Sequence, residues 1–211
     1  MTTPRLIYFA DPMCSWCWGF ATVIEAIGEV WGDSLPIRLV MGGLRPGTAE
    51  PMAEDAKQTL RGHWRHVTEA SGQPFGPSGL DRPGFVYDTD PAARAVVALR
   101  RRDPAGALGF LHALQRAFYA GGRDITDPAV LAALAGEHGQ DPADFAGALQ
   151  AEDVKQETWR DYAIARGAGV SGFPTLILGP QADGTYLPIT RGFQPMATVL
   201  PLIGEGLASA A

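Results

Sequence analysis

The chain has 211 residues, a formal net charge of −6, 46% hydrophobic and 19% charged residues, the make-up of a soluble globular protein large enough to bury a proper core. The acidic balance excludes nucleic acid as the main partner and offers no basic patch to an anionic membrane. No apolar stretch approaches membrane-spanning length, and no apolar run with a small-residue cleavage site opens the chain, so the expected compartment is the cytoplasm.

Arg5-Leu6-Ile7-Tyr8-Phe9-Ala10 predicts a first strand, closed by Asp11-Pro12-Met13. Phe20, Val23, Ile24, Ile27 and Trp31 then recur at helical spacing and predict a helix over 14–31. Pro36-Ile37-Arg38-Leu39-Val40-Met41 predicts a second strand, ended by Gly42-Gly43. Strand, helix, strand is a βαβ unit, with parallel strands and a right-handed crossover.

From about 48 to 168 helical periods replace strand patterns. Leu60, Trp64 and Val67 predict a helix ending near Gly72, and the Pro- and Gly-rich segment from Gln73 to Gly84 predicts a loop. Asp-Pro occurs at Asp90-Pro91, Asp103-Pro104, Asp127-Pro128 and Asp141-Pro142. Each predicts a helix start, with Asp as the cap and Pro in the first turn. Gly122, Gly139 and Gly167 fall where these helices should stop. The last stretch returns to strands at 175–178 and 186–190, with Asp183-Gly184 as the turn between them and a final helix over 196–207. Pro188 marks its strand as an edge or a bulge. A two-strand fragment at either end is too small to stand alone, so both ends are expected to form one sheet in an α/β fold.

The only two cysteines, Cys14 and Cys17, sit two residues apart at the seam between the first strand and helix. A helix start presents unpaired N–H groups and partial positive charge, which favour a thiolate at Cys14. Cys17, one turn on, can attack whatever disulfide Cys14 makes. Two other readings of the pair stay open at this point. It could be half of a zinc site completed by two of His63, His66, His112 and His138, or an inert buried pair. A reducing cytosol disfavours a structural disulfide and favours a working dithiol.

Gly169-Val170-Ser171-Gly172-Phe173-Pro174-Thr175 places a proline directly before a strand. Base rates alone make that bond trans. The layout of strand, Cys-x-x-Cys at a helix start, strand, long helical insertion, then Gly-Phe-Pro-Thr before a hairpin and a last helix resembles the DsbA-like branch of the thioredoxin superfamily. Asp11 to Gly19 is most similar to that branch's cytoplasmic group of bacterial protein-disulfide isomerases. The resemblance implies a thioredoxin-like fold with a large all-helical insertion: residues 1–46 and 169–211 as the thioredoxin-like part, 47–168 as the insertion. It also implies a cis bond at Pro174 beside the cysteines, with Phe173 offering backbone hydrogen bonds to an extended substrate.

On this reading Cys14 is the attacking thiol and Cys17 the buried, resolving one. Ser15-Trp16 carries no charge, unlike the histidine-bearing dipeptide of the strong oxidants, so a more reducing potential is expected. Trp16 and Trp18 are expected to form an apolar rim for an unfolded peptide. Asp11 is a candidate for proton transfer, while Glu25 fits a solvated helix face. Arg45 is either an ordinary loop arginine or an anion site in the cleft, for instance for a glutathione carboxylate. His63, Trp64 and His66 fit one amphipathic helix, and Tyr87, Tyr119 and Tyr162 fit core or surface. The expected function is a thiol–disulfide oxidoreductase or isomerase acting on disulfide-containing proteins or small disulfides. It needs no metal and no resident cofactor, with glutathione as the candidate redox partner. Two alternatives accompany it: a glutathione-dependent transferase or isomerase of the kappa-class type, with Ser15 and Arg45 at its site, and a non-catalytic adaptor docking through its helices.

Overall fold

The computed structural model describes residues 4–76 and 79–210. The start of the chain and part of the loop expected over 73–84 lie outside the described residues.

Strand β1 (Arg5–Ala10) pairs in parallel with β2 (Ile37–Met41) and antiparallel with β3 (Thr175–Gly179); β3 pairs antiparallel with β4 (Leu187–Arg191). The sheet order is β2-β1-β3-β4, so the two ends of the chain share one sheet. Alternation along β1 separates two faces. Leu6, Tyr8 and Ala10 enter the main core, whereas Phe9 joins Val40 and Ala165, with Ile7 and Ile177 against them. The register of β3 on β4 slips between Leu176↔Thr190 and Ile177↔Pro188, which leaves Ile189 as a bulge. Pro188 thus lies on an edge strand, beside a bulge, where a strand proline is tolerated.

The expected helix over 14–31 is two helices, α1 (Ser15–Gly19) and α2 (Ala21–Trp31). They meet at Phe20, which keeps right-handed dihedrals (φ −84°, ψ −6°). The Phe20 N–H donates to the Trp16 carbonyl (3.0 Å) and its carbonyl accepts from the Ile24 N–H (3.1 Å), so the chain bends there without unwinding. Gly19 allows α1 to press on α3 (Glu54–Ser71): a Cβ at Gly19 would stand 2.9 Å from Val67 Cγ1. Helix α3 ends at Gly72, whose φ of +73° is the left-handed conformation that closes a helix.

The Asp-Pro pairs divide. Asp127 and Asp141 cap α6 (Pro128–Glu137) and α7 (Pro142–Gln150), accepting from the Ala129 N–H (2.8 Å) and the Asp144 N–H (2.9 Å). Helix α4 (Asp90–Arg102) starts one residue earlier than expected, with Thr89 at its cap. That leaves the Asp90 carboxylate to take Arg94 and the Tyr162 hydroxyl (3.1 Å). Asp103 follows the end of α4, and its carboxylate accepts from the Gly106 N–H (3.0 Å) in a turn before α5 (Ala107–Tyr119). Helix α8 (Glu152–Gly167) runs through Gly167, and the left-handed residue after it is Gly169 (φ +71°). Helix α9 (Met196–Ala210) follows β4.

One continuous apolar cluster runs from Leu6 and Tyr8 of β1 through α1 and α2 to Phe110, Leu114 and Phe118 of α5. The helical segment therefore packs against the same face that carries α1. The free edge of β2 is closed by side chains. The Met41 N–H donates to Asp161 Oδ2 (2.9 Å), and the Leu39 carbonyl accepts from Arg100 (2.8 Å). Edge groups satisfied in this way cannot recruit another strand.

Candidate active site

Cys14 occupies the cap position of α1 with extended dihedrals (φ −91°, ψ 114°). Asp11 builds the turn that puts it there. One carboxylate oxygen of Asp11 accepts from the Met13 N–H (2.9 Å), and its backbone carbonyl accepts from the Cys14 N–H (3.1 Å). The other carboxylate oxygen accepts from the Leu44 N–H (2.8 Å), which ties the loop after β2 to the cysteine turn. Asp11 is fully buried, and burial pushes its carboxyl up to about 6 against these two backbone donors. It faces inward and serves as a brace.

The Cys14 carbonyl accepts from the Cys17 N–H (2.9 Å) and the Trp18 N–H (3.1 Å), the first bonds of the helix. Cys14 is 6% exposed and Cys17 is wholly buried, and both are free thiols. Burial, followed by the neighbouring Cys14, pushes the Cys17 thiol well above its ordinary range. Cys14 Sγ lies 3.5 Å from the Phe173 carbonyl. The Phe173–Pro174 peptide bond is cis, Pro174 is buried, and its carbonyl accepts from the Gly192 N–H (2.7 Å). Gly42 makes room for this arrangement: a Cβ there would stand 2.1 Å from the Phe173 ring.

A cleft of about 230 Å³ opens over Cys14, lined by Ser15, Trp16, Arg45 and Phe173 together with Met13, Leu44, Leu60, His63 and Tyr87. The Arg45 guanidinium lies over the Tyr87 ring, 5.5 Å from its centroid. The Trp16 ring rests against Phe193 at 5.4 Å. Trp18 is elsewhere. It is 4% exposed and its indole N–H donates to the Pro74 carbonyl (3.1 Å), so it anchors the segment after α3 and does not line the cleft. Glu25 points out from α2 and meets His112 Nδ1 at 3.5 Å. Among the described residues no group of three or more His, Cys, Asp and Glu side chains is placed to hold a metal ion.

Several site residues carry no signal in the sequence. His63 and Leu60 reach the cleft from α3, where their spacing reads as an ordinary amphipathic helix. Tyr87 is buried; its hydroxyl donates to the Met13 carbonyl and lies 3.4 Å from the Tyr119 hydroxyl. Phe193 sits just after the β4 edge, and nothing in its neighbourhood marks it.

The sequence profile of the DSBA-like thioredoxin domain matches residues 5–201. Among solved structures, a "putative protein disulfide isomerase" from Nitrosomonas europaea is 35% identical with a TM-score of 0.91, each chain covered in full. The cytosolic disulfide reductase DsbM from Pseudomonas aeruginosa is 30% identical with a TM-score of 0.75, over 88% of this chain and 89% of that one. A second DsbM structure, with GSH, matches at 30% identity and a TM-score of 0.70, over 82% of this chain and 85% of that one. Among curated proteins, the ClpXP adapter protein SpxH of Halalkalibacterium halodurans is 23% identical over 180 residues, 82% of this chain. The chain spans 58% of the length of that relative.

Proposed function

The chain belongs to the DSBA-like thioredoxin domain family, and on that premise we propose that it is a thiol–disulfide oxidoreductase working through Cys14 and Cys17. The observation that carries this is the asymmetry of the pair: Cys14 meets the cleft beside the Phe173 carbonyl, and Cys17 is sealed one turn behind it. Cys14 as a thiolate attacks a substrate disulfide, and the first substrate sulfur leaves with its electron pair. Cys17 then attacks Cys14 Sγ, the second substrate sulfur leaves, and the enzyme disulfide is formed. The dithiol gives up two electrons and the substrate becomes two thiols.

Cys14 shows little surface, so the substrate disulfide enters as a small molecule or an extended segment. Phe173 presents backbone to that segment with Pro174 behind it, Ser15 and Trp16 border it, and Arg45 offers a charge to a carboxylate. Glutathione fits as the redox partner on the same grounds, and the GSH-containing structure of DsbM supports it. The direction favoured is reduction, in a reducing cytoplasm; the likeness to a cytosolic reductase supports it. No helix of the described residues is long and apolar enough to cross a membrane.

Trapping decides the mechanism. Cys17→Ser should accumulate a mixed disulfide on Cys14 with glutathione disulfide or a reporter disulfide, seen as a mass increment removed by reductant. If no adduct forms with any disulfide offered, the two-thiol reading is wrong. The SpxH likeness favours one other reading, an adaptor. That reading requires a stoichiometric complex that survives both reductant and Cys14→Ser.

A further inference from the structure

Tyr8 stands in the middle of β1 and is fully buried on the sheet face that carries α1. Its ring packs near Phe20, with centroids 6.0 Å apart. Its hydroxyl makes no hydrogen bond in this resting, reduced structure. A buried polar group without a partner is costly, and its persistence calls for a reason. Tyr8 shares its buried cluster with both thiols; Cys17 is the stronger electrostatic neighbour of its hydroxyl, Cys14 the next, and Cys17 is the side chain it would hydrogen-bond.

A neutral thiol is a poor acceptor, so an orphaned hydroxyl beside one is what the resting state should show. A thiolate is a strong acceptor. The contact is therefore weak in the ground state and strong only while Cys17 is an anion, which is the condition for lowering a barrier. Of the other groups around Cys17, the Asp11 backbone favours the anion through a hydrogen bond, while Cys14 at the cap of the same helix and the Asp11 carboxylate both disfavour a second negative charge. Burial does the same.

Resting on the oxidoreductase reading above, we propose that the Tyr8 hydroxyl is a catalytic hydrogen-bond donor to the Cys17 sulfur, holding it as a thiolate during the resolving step. In that step the Cys17 thiol gives up its proton to solvent, the Cys17 Sγ–Cys14 Sγ bond forms and the bond from Cys14 Sγ to the substrate sulfur breaks. The substrate sulfur leaves with the electron pair and is protonated from solvent. In reverse, an external thiolate attacks Cys14 of the enzyme disulfide, and Cys17 departs as the anion that Tyr8 receives.

The test is Tyr8→Phe, which removes the hydroxyl and keeps the ring. Resolution of a mixed disulfide preformed on Cys14 should slow about tenfold, the ratio expected for one hydrogen bond to a charged group. Cleavage of the Cys14–Cys17 disulfide by reduced glutathione should slow by the same factor. The reduction potential at neutral pH should stay unchanged, because neither end state contains the Cys17 anion. First attack by Cys14, measured in the Cys17→Ser background, should also be unchanged. Tyr8→Met, which lacks the hydroxyl and is shaped differently, should show the same pairing of slowed steps with an unmoved potential. Wild-type rates in both directions for Tyr8→Phe would overturn the assignment, as would slowing accompanied by a shifted potential or a slowed first attack, the marks of a packing role. If the wild-type protein shows no reversible dithiol transition, the oxidoreductase reading falls and this assignment with it. If the wild type turns over and Tyr8→Phe matches it, only Tyr8 is wrong.

Discussion

Two of the hollows in the molecule have opposite chemistry. The crevice at the outer edge of β2, between α4 and α8, is the larger at about 430 Å³ and is rich in charge. At its centre Arg100 is fully answered, reaching Asp161 at 2.7 Å, Glu157 at 2.8 Å and the Leu39 carbonyl at 2.8 Å. The Cys14 cleft is about half that size, and its reactive groups are left unanswered. Cys14 has one long contact to a carbonyl, and the Tyr8 hydroxyl beneath has none. A saturated network fixes a shape; groups held apart from partners keep capacity for a reaction. Size is no guide to the reactive hollow: the crevice exceeds the Cys14 cleft, and a hollow of about 740 Å³ lined by His112 and Glu137 exceeds both.

Mutations should separate the two. Cys14→Ser should abolish disulfide turnover while leaving the melting temperature near that of the reduced wild type. Arg100→Met should do the reverse. It strands a buried Asp161 carboxylate, at a cost of about 3–5 kcal/mol, yet the protein that remains folded should turn over normally. Loss of turnover per folded molecule in Arg100→Met would erase the distinction.

Asp11 sharpens the comparison because it belongs to the cleft by position and to the crevice by behaviour. Asp11→Ala leaves the buried Met13 N–H unpaired and the half-buried Leu44 N–H without its acceptor, and should destabilise by about 1–3 kcal/mol, measured by denaturant unfolding. Its pH dependence has a definite sign. The folded carboxyl titrates at about 6 against an ordinary 3.8, so the folded state holds the proton more tightly. The stability linked to this group is present below 3.8 and lost as pH rises through about 6, a fall of roughly 3 kcal/mol. Relative to Asp11→Asn, the wild type should lose stability across that window and no further above it. A flat difference across the window would mean that the carboxyl is not shifted.

Smaller effects should follow the same line. Arg45→Ala should raise KM for a small anionic disulfide about tenfold with little change in kcat, as expected for one lost charge-assisted contact. An unchanged KM would return Arg45 to an ordinary loop residue stacked on Tyr87. The exposed Arg123–Glu137 pair (3.1 Å) should contribute less than ~1 kcal/mol and leave activity untouched when either partner is replaced.

Much of the frame is legible because it is local. Alternation in β1 and the apolar period after Cys17 are properties of six to eighteen neighbouring residues, and the strands fall within a residue or so of their expected bounds. The same Asp-Pro pair, however, caps helices at 127 and 141 but not at 90 or 103. At Asp90 the carboxylate takes Arg94, four residues on along the same helix, and the Tyr162 hydroxyl of α8, and the second of these lies beyond any local rule. Cys14 and Cys17 announce themselves by spacing. Their companions do not: Tyr8, His63, Tyr87 and Phe193 come from a strand, a helix and two loops, and only the fold brings them to one place. Trp18 shows the converse. Its neighbours suggested a rim, and its side chain turns inward to Pro74.

The most direct test is a redox titration of the intact chain in glutathione buffers, followed by tryptophan fluorescence. Trp16 lines the cleft against Phe193, and Trp18 is buried next to Cys17 in sequence, so closing the disulfide should change the emission. The account predicts one reversible two-electron transition, with a midpoint between those of thioredoxin (about −270 mV) and the strong oxidant DsbA (about −120 mV). A featureless titration, or a single glutathione adduct in place of the internal disulfide, would contradict it.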